Sequence, residues 1–128
     1  MILLDTSVLV GAFTGAGQLS PTLMRVIDRG ERLGLCAPVL YEWRRGPRTD
    51  VELAVQEGLL PTEMAWPFGA AEALVAADLY RRLPRARARE LDFAIAACAL
   101  TRGVRLWTLN PEDFTDIPEL ALFALERA

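Results

Sequence analysis

Apolar residues recur along this chain in two alternating rhythms. Short unbroken apolar runs are followed by longer stretches with helical spacing. The first run, residues 1–4, reads as a buried parallel strand. Asp5, Thr6 and Ser7 follow, and Val8–Phe13 resumes as a helix. Ser20 and Pro21 mark another helix start, with Ser20 as N-cap and Pro21 at the first helical position. Leu23, Val26 and Ile27 form its inner face, and Gly30 stops it. A second strand is predicted over Leu33–Cys36. A helix from Pro38 carries Glu42 and Trp43 and ends at Gly46-Pro47.

The remainder keeps the alternation. Residues 50–58 predict a short helix, Thr62–Trp66 an edge strand, and Ala70–Leu83 a helix with Leu74, Ala77 and Leu79 among its apolar positions. Pro84 breaks that helix, and Arg85–Arg89 reads as a charged linker. Leu91–Arg102 is a strongly apolar helix, with Leu91, Ile95 and Cys98 on one stripe and Gly103 as its cap. Val104–Leu109 is a strand, Pro111–Phe114 a short helical turn, and Leu120–Ala124 a last strand. Strands alternating with helices predict an α/β class with a mainly parallel sheet.

Composition narrows the function. The chain has 128 residues, 52% of them hydrophobic, which suits one domain with one core. No apolar run is long enough to span a bilayer. No basic region or cleavage site marks a signal peptide, so a cytoplasmic location is expected. Cys36 and Cys98 sit in apolar surroundings and read as buried free thiols. There is no histidine, and all 14 basic residues are arginine. Histidine-dependent nucleophilic or acid/base mechanisms, P-loops and Schiff bases are thereby excluded. What remains is carboxylate, hydroxyl, amide and guanidinium. That set suits a hard cation such as Mg²⁺, or Mn²⁺ as its substitute. The net charge of −3 argues against non-specific duplex binding, although a bound metal inverts the field of an acidic pocket.

In an open parallel sheet, ligands bind beyond the carboxyl ends of the strands. Asp5 directly follows the first strand and is the only charged residue before Arg25. It also suits a helix N-cap. Glu42 lies one turn into the helix after the second strand, where a solvated position would serve equally. Asp92 opens the apolar helix, where the positive helix end favours any carboxylate; Glu90 competes for that place. Asn110, Pro111 and Asp113 together resemble a capped helix start. Each acid has a structural explanation of its own. Jointly, acids at 5, 42, 92 and 113 all fall at helix starts that a doubly wound sheet gathers at one edge. Crowded carboxylates repel unless a cation neutralises them.

The segments ILLDTSVLV, APVLYEWRRG, ELDFAIAACALTRGVRL and LWTLNPEDFTDI, in this order, resemble the PIN domain. The likeness is nearest to VapC-type toxin ribonucleases of bacterial toxin–antitoxin pairs and runs from Met1 to about Leu122. It implies a three-layer α/β/α sandwich with a mainly parallel sheet of four or five strands, with residues 1–128 as a single PIN domain. It implies Asp5, Glu42 and Asp92 as metal ligands, directly or through water, with Asp113 as the fourth acid. Many relatives have a second acid where this chain has Asn110, so the fourth ligand stands between the two. The Asp of the third segment lies one step further from its Ile-Ala-Ala run than in relatives. Thr6 and Thr108 would be supporting hydroxyls.

The resemblance further implies RNA as substrate, with 5′-phosphate and 3′-hydroxyl products. A homodimer, an inhibiting antitoxin partner and operator DNA reached only through that antitoxin also follow from it. Arg44, Arg45, Arg48, Arg81, Arg82, Arg85, Arg87 and Arg89 are candidates for phosphate contact, with solvated helix faces as the plainer reading. Two other classes compete with the nuclease. One is a non-catalytic PIN-like binding module. The other is a different Mg²⁺-dependent phosphoryl enzyme with Asp5 as acceptor, which would normally need a lysine.

Overall fold

The computed structural model describes residues 1–125. Strand β1 (Ile2–Leu4) lies between β2 (Leu33–Gly34) and β3 (Arg105–Trp107), giving the order β2-β1-β3. All pairing is parallel, with Ile2 opposite both Leu33 and Arg105, and Leu4 opposite Trp107. Ile2, Leu3 and Leu4 are fully buried, as a central parallel strand covered on both faces requires.

The helices are α1 (Thr6–Phe13), α2 (Ser20–Asp28), α3 (Ala37–Arg45), α4 (Asp50–Leu59), α5 (Ala70–Arg82) and α6 (Glu90–Arg102). They flank the sheet in an α/β sandwich. One hydrophobic cluster joins β1 and β3 with buried residues of α1, α2, α3, α5 and α6. Helix α6 is its centre. Phe93 and the run Ile95–Ala99 are all buried, because a helix packed between sheet and neighbouring helices has little solvent face to keep polar. Gly103 ends it at φ +64, a left-handed conformation suited to glycine. Cys36 and Cys98 are buried free thiols, as expected.

Several expectations need correction. Among the described residues the sheet has three strands, where four or five were expected. The outer two are reduced to single parallel bridges, Cys36 with Trp66 and Leu106 with Leu122. Residues Thr62–Met64 form a 3-10 turn, where an edge strand was predicted; only Trp66 reaches the sheet, donating to Leu35 O and accepting from Ala37 N, both at 2.8 Å. Gly34 makes that approach possible, since a Cβ there would stand 2.6 Å from the Trp66 ring. The final strand likewise shrinks to Leu122, and the charged linker contains a 3-10 turn over Ala86–Arg89. Leu74 is 74% exposed whereas Leu79 is 4% exposed, so α5 turns Leu79, with Val75 partly buried, toward the core. Leu19, not Ser20, occupies the N-cap of α2.

Candidate active site

The sheet order reverses at β1: the chain goes from β1 outward to β2, then returns to place β3 on the other side. Such a switch point leaves a crevice beyond the carboxyl ends of the central strands. Asp5 stands there, one residue past β1, and Thr108 one residue past β3. Asp5 N–H donates to Trp107 O at 2.9 Å, which ties the two strand ends together.

Asp5 has the backbone of an N-cap, yet its side chain makes no capping hydrogen bond. Its Oδ2 instead accepts from Ser7 Oγ at 2.8 Å and from Thr108 Oγ1 at 2.7 Å. Each hydroxyl in turn accepts a backbone N–H at 3.0 Å, Ser7 from Leu109 and Thr108 from Asn110. The backbone amides thus occupy the hydroxyl lone pairs and direct both protons at one carboxylate oxygen. The other oxygen, Oδ1, has no hydrogen-bond partner among the described residues.

An open cleft of roughly 660 Å³ lies over this group. Asp5, Thr6, Ser7, Glu42, Asp92 and Asn110 line it, together with Arg45 and Arg48. Three of the four acids expected from the sequence therefore share one cavity, delivered by the end of β1, the body of α3 and the first turn of α6. Asp113 is not among the residues lining the cleft, but its charge reaches Asp92. Burial, followed by the charges of Asp5, Asp113 and Glu42, raises the Asp92 carboxyl to about 6, with Arg89 opposing. Desolvation and like-charge repulsion both disfavour the ionised form.

Thr6 Oγ1 is buried in a residue only 7% exposed and has no hydrogen-bond partner among the described residues. A buried hydroxyl left unpaired costs free energy unless something outside the protein chain satisfies it. The free carboxylate oxygen and the repelling acids fit a divalent cation. Among the described residues no three His, Cys, Asp or Glu side chains stand in direct ligating positions around one point.

The arginines sort themselves by their partners. Arg44 pairs with Glu57 at 3.0 Å, Arg82 with Asp78 at 2.9 Å, and Arg81 with Asp78 at 3.8 Å. Arg89 is buried, holding both oxygens of Asp116, donating to Asp113 O at 3.0 Å and lying over the Phe93 ring. Its role is internal, so it leaves the list of phosphate candidates. Sequence reading gave no role to Ser7; its place two residues after Asp5, in the first turn of α1, was the available signal.

The family model for the PIN domain matches residues 2–120. The chain belongs to the PIN-domain family. PIN domains are generally nucleases and generally use divalent metal ions. A search of the curated proteins finds no match. Among solved structures, this PIN domain is similar to a chain of DNA-bound VapBC from Salmonella typhimurium, with TM-score 0.75 and 22% identity over 95% of this chain and 96% of that one. It is similar to a chain of VapBC2 from Rickettsia felis bound to a promoter DNA fragment, with TM-score 0.74 and 19% identity over 98% and 100%. FitAcB from Neisseria gonorrhoeae gives TM-score 0.69 and 21% identity over 97% of both chains. At these identities the likeness is one of fold, and it extends over nearly the whole length of each chain.

Proposed function

We propose that this PIN domain, spanning residues 1–128, is a metal-dependent endoribonuclease and the toxin of a VapC-type toxin–antitoxin pair. The observation that carries the reading is the common cleft of Asp5, Glu42 and Asp92. These acids are far apart in sequence, and no internal arginine neutralises Asp5 or Asp92 by an ion pair among the described residues. Arg45 stands 3.7 Å from Glu42, a long pairing that an ion could displace.

Asp5, Glu42 and Asp92 would hold Mg²⁺, or Mn²⁺ in its place, with Asp113 or Asn110 completing the site through water. When bound, the ion supplies Lewis acidity toward a phosphodiester and lowers the pKa of an attached water. The chain's own contribution is orientation. Ser7 and Thr108 fix the Asp5 carboxylate by donating to its Oδ2. RNA is the proposed substrate. A homodimer in the cytoplasm, held inactive by a cognate antitoxin that alone contacts operator DNA, is the proposed assembly. The VapBC and FitAB structures of the same fold, some of them bound to DNA, support that setting.

The test is cleavage of single-stranded RNA by the wild-type protein in Mg²⁺, in EDTA, and by Asp5→Asn in Mg²⁺. Cleavage is expected only in the first. The variant should lose on the order of a hundredfold or more, the scale lost with one charge-stabilising group. Equal cleavage in all three would remove the metal mechanism, and none in any would reassign the chain to a binding module.

A further inference from the structure

The cleft contains a second feature besides its acids, and the sequence pattern does not single it out from the other arginines. Arg48 makes no ion pair among the described residues, although it lines a cavity with three carboxylates. Its position is set by other means. Nε donates to Trp43 O at 3.0 Å, and the guanidinium lies over the ring of fully buried Trp43, 4.3 Å from its centroid. Gly46 leaves the room: a Cβ there would stand 2.9 Å from Nη2. One edge and one face of the guanidinium are thus occupied, while its terminal nitrogens have no hydrogen-bond partner among the described residues. The side chain is ordered before any ligand arrives, and the fork that matches a phosphate remains free.

We propose that Arg48 is the phosphate-binding arm of this cleft, seating one backbone phosphate of the RNA beside the acids. The identity of the ligand rests on the nuclease reading; the readiness of the guanidinium does not. A chain of net charge −3, presenting carboxylates to a polyanion, needs a cationic contact that its own acids do not neutralise. Arg45, the other arginine of the cleft, lies 3.7 Å from Glu42 and over the Tyr41 ring on its own helix, and lacks the backbone anchor that presets Arg48.

The experiment measures binding of a fluorescein-labelled single-stranded RNA by anisotropy in EDTA over a range of salt, then KM and kcat in Mg²⁺. Arg48→Ala should weaken binding about tenfold, as for one charge-assisted contact, and flatten the salt slope by about 0.7. Its loss in cleavage should fall mainly on KM. Arg48→Lys should keep the salt slope but not the affinity, because the stacked, pre-set fork is gone. Gly46→Ala keeps every charge and moves only the arm. Its extended backbone accepts alanine, so binding should fall severalfold without loss of thermal stability. Arg25→Ala, on α2 and outside the cleft, is the control and should match wild type.

Wild-type affinity, salt slope and KM in both Arg48→Ala and Gly46→Ala would overturn the proposal, as would an equal effect of Arg25→Ala. If the wild type binds RNA without cleaving it and the Arg48 effects persist, the nuclease reading fails and this one stands. If it cleaves RNA and the Arg48 variants behave as wild type, only this proposal fails. No binding and no cleavage by the wild type would overturn both.

Discussion

Asp92 is a partly buried carboxyl facing three others, and its pKa of about 6 records the strain of that placement. In the unfolded chain it would titrate near the ordinary carboxylate range, about 4. Between these values the folded protein holds a proton that the unfolded chain has released. Stability therefore falls as pH rises from about 4 to about 6, and the loss is complete above that window. Asp116, Glu57 and Glu72 act oppositely. Their pKa values are held down by Arg89, by Thr62 and by the Gly69 N–H respectively, so their contributions are lost on acidification. The difference between wild type and Asp92→Asn isolates the site. In EDTA the variant should melt several degrees higher than wild type at pH 8 and close to it at pH 4, while losing RNA cleavage. Thermal melts followed by circular dichroism check this, and superimposable pH profiles would contradict it. The sign for metal is the reverse: a cation competes with the Asp92 proton, so affinity should rise through pH 6.

At the scale of elements, the segment carrying Asp113 is held by one buried side chain. Arg89, just before α6, grips both oxygens of Asp116 and the carbonyl of Asp113, which ties the start of α6 to the chain after β3. Arg89→Met should cost roughly 2 kcal/mol, since buried charged hydrogen bonds are lost together. Asp116→Asn should cost less. Denaturant unfolding of both variants and of the double variant measures the coupling; additive losses would mean that the clamp holds nothing. Here the sequence was an uneven guide. Long periodic segments such as α6 and α2 were legible because their apolar spacing is set by burial. The outer strands were not. Trp66 and Leu122 each contribute one bridge, and the pairing extends no further along either segment. A run of apolar residues cannot distinguish one sheet contact from five. Arg89 read as part of a charged linker because its partner lies 27 positions on, a distance at which pattern gives no sign of pairing.

At the scale of the whole molecule, the parallel order β2-β1-β3 does the gathering. It places the end of β1 at the point of reversal and brings α3 and α6 to the same crevice. Asp5 and Asp92 were legible as candidates because one follows a strand and the other opens a helix; Glu42, expected near a helix start, lies in the body of α3. Their meeting became visible only in three dimensions, as did the engagement of Ser7 and Thr108 with one oxygen of Asp5. The central claim is that this gathering exists to hold a divalent cation. Titration of metal-free protein with Mn²⁺ at pH 8, followed by calorimetry, tests it most directly in wild type, Asp5→Asn and Asp92→Asn. The account predicts saturable binding at millimolar Mn²⁺ or below, weakened by about tenfold or more in either variant. Absence of binding by the wild type, or wild-type affinity in both variants, would contradict it.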